Sequence, residues 1–468
     1  MMWGCVGEGR SLLTGGDMER ELGVRDLADL LDEVGAERVR VAADGSIEEL
    51  ETVLSQEVGR LGAKPFEREL QQRADAIDEE QGPQAPCPNC GRDRVDRHRR
   101  KQRSLLTCLG EVRFQRAEYH CSCGTLFAPA DQRLGIRREA RLSPALERLA
   151  ADMGAACSSF EEAQELLRRF HGRGEGPTAR TIGKAVDRVA GDVEALTTLA
   201  NPAARPSLAA NAASRDSTLI LEVDGGIVRT RSSDDGGATA GREAKVGVVY
   251  RTEDRVEKPP TASGLPGRAR IRGASNVARI EHWESFARRF YREAQRRGVE
   301  QAGRVVLLGD GAEWIDQLHR EFVPEAIRIL DFWHALQHLC EPARIAFDGD
   351  DAKMARYRRK QAKRLLNAEY AGMIAAMNAL PNQAPKARRA AVRNEVAGRR
   401  AYFAKRRDQI NYPRFRAWNL PIGSGLIEGR IRNLVKGRLD VTGAIWHVPR
   451  ANNVLTLRAH NANQRAAA

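Results

Sequence analysis

Two short apolar runs, Val305–Leu308 and Ile327–Leu330, lie close together in the second half of the chain. Each is followed by an aspartate, Asp310 after the first and Asp331 after the second. Brief β-branched or Leu-rich runs bounded by Gly or charge predict buried strands of a parallel or mixed sheet. Helical periodicity follows both, through Trp314, Ile315 and Leu318 and then through Trp333, Leu336 and Leu339. Strand–helix alternation predicts an α/β layer. In open sheets, ligands bind beyond the carboxyl ends of strands, which is where Asp310 falls. A third run, STLILEVDGG at 217–226, ends in Asp224 and a Gly pair.

The remaining patterns divide the chain into segments. Residues 1–18 read as disordered, or as an over-extended start with Met18 the true one. Residues 19–81 read as acidic helices, with Ser46 and Glu49 as a capping box before Leu50. GPQAP (82–86) is a linker, and VRFQRAEYH alternates as a ribbon strand within 82–135. Residues 140–200 are helical: Ser159 and Glu162 form a second capping box ahead of Phe160, Ala163, Leu166 and Leu167. After GRGEGPT a further helix runs through Ile182, Ala185, Val186 and Val189. The pair is a helix-turn-helix or a plain helical hairpin. Residues 201–216 are a linker of small residues.

The α/β layer begins at 217 and runs to 345. LEVDGG, IVRT and KVGVVY read as a three-strand meander, 253–276 as a loop, and Trp283–Tyr291 as a helix. From 346 to 416 the pattern is wholly helical and basic. The segment 417–468 returns to the layer, with a helix capped by Ser424, stopped by Gly437 and carrying Glu428 in its first turns.

At 468 residues the chain has room for two to four cored domains. A hydrophobic share of 42% beside 30% charge fits a soluble globular protein. There is no apolar run long enough for a membrane span and no signal-peptide core. The net charge of +13 is unevenly placed. Residues 1–80 hold 9 basic and 20 acidic side chains, whereas 351–410 hold 16 basic and 4 acidic. That concentration points to a polyanionic partner.

Eight cysteines without a secretion signal predict a reducing compartment and one metal site. CPNCGR supplies Cys87 and Cys90, and CSCG supplies Cys121 and Cys123. Two knuckles, each followed by Gly, predict four thiolates around a structural zinc, with Cys108 or His120 as substitute ligands. Seven Arg or Lys in 92–103 give this ribbon a phosphate-binding aspect. If Asp224 and Asp310 are neighbours, two carboxylates at adjacent strand ends make a hard oxygen site for magnesium or manganese, with Glu428 as third acid. Asp331 competes for a metal position, and His334, one helical turn on, could orient a phosphate or water. Glu222 shares a strand face with Asp224, and Asp316 reads as solvated. Candidate DNA contacts are Arg180, Lys184 and Arg188 at helical spacing, and Arg430 and Arg432 beside Glu428. Trp314, Trp333 and Trp446 read as core side chains rather than base-stacking ones. A Walker-type phosphate loop is absent from the sequence.

The ordered set LEVDGG, LLGDGAEWI, ILDFWHALQHL and GSGLIEGRIRN resembles the DDE transposases of bacterial insertion sequences, nearest the ISKra branch related to Mutator-like elements. The resemblance implies a ribonuclease-H-like core with Asp224, Asp310 and Glu428 as catalytic metal-binding acids. It also implies an all-helical insertion, for which the 118-residue gap from Asp310 to Glu428 has more room than the 86 residues from Asp224 to Asp310. The chemistry implied is metal-dependent cleavage at element ends, then attack of the freed 3′ hydroxyl on target DNA. Terminal repeats and target DNA are the implied partners, in a homodimer or larger assembly with no membrane, in the bacterial cytoplasm at the nucleoid. The residues themselves also accommodate a metal-dependent nuclease or resolvase of the same fold, or an inactive transposase-derived zinc protein that binds DNA.

Overall fold

The computed structural model describes residues 46–170, 176–199, 217–231, 238–257 and 269–467. The start at 1–18, residues 19–45 of the acidic region, the capping side chain Glu49, residues 172–175 of the GRGEGPT turn and the 201–216 linker therefore lie outside the described residues. The chain divides into two compact units, 1–143 with 169–175, and 144–168 with 176–468.

In the first unit, helix α1 (Ile47–Gln81) precedes a four-stranded sheet in the order β1 (Gln84–Ala85), β2 (Val95–Thr107), β3 (Gly110–His120), β4 (Leu126–Phe127). A short α2 (Pro129–Arg133) follows. Leu70 and Ala74 of α1 meet Leu105, Val112 and Phe114 in a small core. Two polar clamps fix the helix to β3. The Asp78 carboxylate accepts from the Ala117 N–H at 2.6 Å, and the Gln71 amide bonds both backbone groups of Gln115.

The second unit opens with three helices, α3 (Pro144–Ala156), α4 (Phe160–Phe170) and α5 (Ala179–Leu199). The cap of α4 is half the expected box: Ser159 Oγ accepts from the Glu162 N–H, but the Glu162 carboxylate turns to Ser158 rather than Ser159.

The main sheet runs β11–β10–β5–β6–β9. Its strands are β5 (Thr218–Arg231), β6 (Thr239–Arg251), β9 (Ser275–Arg279), β10 (Arg304–Gly309) and β11 (Ile327–Leu330). A small hairpin, β7 (Arg255–Glu257) with β8 (Ala269–Ile271), stands apart from it. β5, β6 and β9 are antiparallel, while β10 and β11 are parallel to β5. The expected meander of LEVDGG, IVRT and KVGVVY is instead one 14-residue strand paired with one 13-residue strand. The Gly pair does not break β5, because Gly225 and Gly226 stay in register with Lys245 and Ala244. The third antiparallel strand, β9, starts in the last two residues of the stretch read as a loop and runs on to Arg279.

Odd-numbered residues of β5 (Leu219, Leu221, Val223) join Phe286 and Phe290 of α6 (Trp283–Arg296) and Ile315 and Leu318 of α7 (Glu313–Phe322) in the main core. Even-numbered residues face the opposite way. After β11 come α8 (Phe332–Phe347), α9 (Asp351–Leu366), α10 (Tyr370–Asn378), α11 (Leu380–Gln383), α12 (Arg389–Lys405) and α13 (Tyr412–Ala417). The chain then returns through α14 (Gly425–Arg430), a π-helical turn at Ile431–Lys436, α15 (Gly437–Leu439), β12 (Trp446–His447) and α16 (Val448–Ala467). Gly437 has φ −60° and the helix passes through it, so it is not the expected stop. The π-helical turn lies over β5 where a side chain is missing: a Cβ on Gly226 would sit 3.0 Å from Ile431.

Candidate active site

The pairing of β5, β10 and β11 brings three aspartates to one level. Val223, Gly309 and Leu330 are register partners across the three strands. The next residue of each strand is Asp224, Asp310 and Asp331 in turn. β5 runs on past this level, but β10 and β11 stop. On that edge of β5 the next partner is β12 at Thr230, which leaves a notch beside Asp224. Gly309 admits the close approach of β10 here, since a Cβ would meet the Val223 carbonyl oxygen at 2.8 Å.

The three carboxylates differ in their surroundings. Asp331 is fully buried and caps α8. Its Oδ1 accepts from the His334 N–H at 2.8 Å and faces His334 Nδ1 at 3.0 Å. Its Oδ2 accepts from the Ser424 N–H at 2.6 Å. Burial alone would raise the Asp331 pKa, but the His334 and Ser424 bonds hold it below the usual carboxylate range. With its lone pairs taken, Asp331 is a clamp rather than an open ligand. Asp224 is largely withdrawn from solvent, and burial together with repulsion from Asp310 pushes it to about 6. Asp310 Oδ1 accepts from the Ala312 N–H at 2.9 Å.

His334 stands among these acids. The Asp331 bond raises it to about 9, with Asp224 and Asp310 adding to the shift. It is therefore an imidazolium at neutral pH, its Nδ1–H pointed at Asp331. Glu222, two residues before Asp224 on the same face, is buried and accepts from the Tyr250 hydroxyl at 2.5 Å and the Ile427 N–H at 3.2 Å. Burial pushes it to about 7.

Glu222 and Asp331 together anchor the stretch that carries Glu428, one gripping Ile427 and the other Ser424. Ser424 caps α14 by position, without a side-chain bond. Glu428 is exposed, with its N–H bonded to the Ser424 carbonyl. Among the described residues, the group of three or more acidic, His or Cys side chains with ligand atoms all within 4.8 Å is the cysteine quartet, not the acids.

Several neighbours of the site were not legible as such. Asp316 is not solvated: it pairs with Arg328 at 3.4 Å and Arg406 at 2.9 Å. Arg328 lies buried in β11 and donates to the carbonyls of Asp310 and Ile329. A charge inside the apolar run IRIL was the available signal, because a buried guanidinium needs an anion. Arg406 also donates to the Gly311 carbonyl at 2.8 Å, and the Tyr402 ring packs on His338 with centroids 4.3 Å apart. These contacts dock the basic helices against the turn after Asp310.

In the first unit, Cys87 and Cys123 have sulfurs 3.7 Å apart, and Cys90 and Cys121 3.6 Å. Four sulfurs about 2.3 Å from a tetrahedral zinc would be separated by roughly 3.8 Å. The quartet could therefore hold a metal such as zinc. Hydrogen bonding from Thr125 lowers the Cys123 thiol to about 6. At Cys90 the Arg92 N–H lowers the pKa, but the neighbouring sulfurs outweigh it and raise the thiol to about 11. Crowded thiolates of this kind suit a shared cation. Cys108 is not in the group, and His120 is exposed beside His98.

Of the other candidates, Arg180 and Lys184 are exposed on α5, but Arg188 is bound to the buried Glu147 at 2.5 Å. Arg432 is exposed, while burial lowers the Arg430 pKa. Trp314 stacks edge-on against Phe286 within the main core, and Trp446 is buried. Among the described residues no helix is long and apolar enough to cross a membrane.

Fold and site together define a multidomain α/β protein with acids gathered at the strand ends of a mixed sheet. Residues 42–409 match the model of an uncharacterised protein family, UPF0236, and the chain belongs to that family. Among solved structures it is similar to the Drosophila P element transposase strand transfer complex, at 12% identity over 72% of this chain and 82% of that one, with a TM-score of 0.23. A likeness of that size carries no argument. No curated protein matches.

Proposed function

We propose that this chain is a DNA transposase of the DDE type, akin to the ISKra insertion-sequence branch, that cleaves element ends and joins them to target DNA. The observation that carries the reading is the shared level of Asp224 and Asp310 on neighbouring parallel strands, with His334 between them electrostatically. The sheet order third–second–first–fourth–fifth, with the first three strands antiparallel, supports a ribonuclease-H-like core. The helical run between β11 and α14 supports an insertion at 346–416, and the cysteine quartet supports a structural zinc ribbon at 82–135.

The donor set fits magnesium or manganese: two oxygen-only side chains whose mutual repulsion a divalent cation would relieve. When bound, such ions neutralise charge on the attacking and leaving oxygens of a phosphodiester. Asp224 and Asp310 would hold the ions, and Glu428 would complete the set from a helix tied down by Glu222 and Asp331. His334 keeps its Nδ1–H on Asp331 and offers Nε2–H to a phosphate oxygen. Arg180, Lys184 and Arg432 are exposed for phosphate contact, with Arg188 and Arg430 more constrained. Pairing of two element ends implies a homodimer or larger assembly acting at the bacterial nucleoid.

The test is to incubate the protein with DNA carrying its element's flanking ends in magnesium, manganese or EDTA, and to map the products. Metal-dependent cuts at the boundary with joined products are expected. Cuts without joining would make the chain a nuclease or resolvase. Binding without cutting would leave an inactive zinc-containing DNA-binding protein.

A further inference from the structure

The sequence offers several basic stretches, and they differ in how many of their cations are already engaged. On β2, Arg99 pairs with Glu118 and Arg100 with Asp75, while Arg97 and Arg103 donate to backbone carbonyls. On α5, Arg188 pairs with Glu147, while Arg180 and Lys184 stay exposed. On α12, Arg399 is held by Glu341 and Glu395, while Arg389, Arg393, Arg400 and Lys405 stay exposed without an ion pair among the described residues.

Helix α9 has the densest such set. Lys353 pairs with the capping Asp350, but Arg356, Arg359, Lys360 and Lys363 are exposed and make no ion pair among the described residues. At 100° per residue these four fall within one arc, with Gln361, Ala362 and Leu365 buried on the other side, Leu366 buried at the edge of the arc and Arg358 exposed outside it. A merely solvated helix face mixes signs at i,i+4 spacing. Here Arg356–Lys360 and Arg359–Lys363 are like-charge i,i+4 pairs, and Asp351 is the only acid on the helix. Such a face is self-repelling until an anion covers it. α8 and α9 are both 16 residues long, joined by a three-residue turn and packed together. As an antiparallel hairpin they bring Lys363 back to the level of the turn that holds His334.

We infer that this face of α9 is a phosphate-backbone contact for duplex DNA, guiding it along the hairpin toward the strand-end acids. The inference rests on the transposase reading for its partner, and it assigns a share of the electrostatic part of binding to four named side chains. Contacts to phosphate set affinity and salt dependence without reading sequence.

The experiment measures affinity for a duplex of the element end as a function of salt, for the full chain and for the variant R356Q/R359Q/K360Q/K363Q. The slope of log affinity against log salt should become shallower by about 3 to 4, roughly 0.9 per lost contact. In the unsubstituted chain, acetylation of Lys360 and Lys363 should be suppressed by the duplex. An unchanged slope, or equal labelling of both lysines with and without DNA, overturns the inference even if metal-dependent cleavage is found. α9-dependent binding by a chain that never cuts would uphold it and sink the transposase reading instead.

Discussion

Asp331 Oδ2 accepts a 2.6 Å hydrogen bond from the backbone N–H of Ser424, 93 residues further along the chain, while its Oδ1 holds His334. One buried carboxylate thus sets both the imidazole over the site and the start of the helix that carries Glu428. Replacing it with Ala would strand two N–H donors and a partly buried imidazolium, at a cost of about 3 kcal/mol. Asp331→Asn keeps the shape but removes the charge. By NMR titration the His334 pKa should fall from about 9 toward its ordinary value in that variant. An unmoved His334 titration would show that another group sets it.

Asp224 should make the metal-free chain less stable as pH rises. Its folded pKa, about 6, lies above the ordinary carboxylate value, so the folded state binds the proton more tightly. The resulting penalty is absent well below pH 4, grows through pH 4–6 and is complete above it. Asp224→Asn should therefore stabilise the metal-free protein by up to about 2–3 kcal/mol at pH 7.5 and hardly at all at pH 4. Denaturant unfolding at the two pH values measures this. Equal effects at both would deny that the carboxylate is strained by its site.

The quartet of Cys87, Cys90, Cys121 and Cys123 predicts one zinc per chain by elemental analysis. Stripping it, or substituting Cys90→Ser, should lower the unfolding transition of the first unit by several kcal/mol, as for structural zinc generally. Cys108→Ser should retain the metal. Zinc content unaffected by Cys90→Ser would exclude the site.

The sequence made some of this readable and hid the rest. Val305–Leu308 and Ile327–Leu330 were recognisable because buried parallel strands are continuous apolar runs. The continuity of β5 was not, since Gly225 and Gly226 imitate a turn, and only pairing with β6 shows otherwise. β9 was hidden because Ser275–Arg279 has little apolar alternation and gains its burial from β6 and α16. The acids stood out by position, but their roles depend on partners far away in sequence. Nothing near Asp331 shows that Ser424 will occupy it, and nothing near Asp316 shows Arg406. Glu222 seemed an unwelcome charge within a strand until the Tyr250 hydroxyl and the Ile427 N–H came to it from elsewhere.

The most direct measurement is single-turnover cleavage and joining of element-end DNA by Asp310→Asn beside the unsubstituted chain, with duplex affinity measured in parallel. Asp310 should supply carboxylate oxygens to a divalent ion and nothing to binding of the duplex. The account predicts a loss of about a thousandfold or more in cleavage in magnesium, with affinity for the duplex unchanged. Strand transfer retained by Asp310→Asn would contradict it.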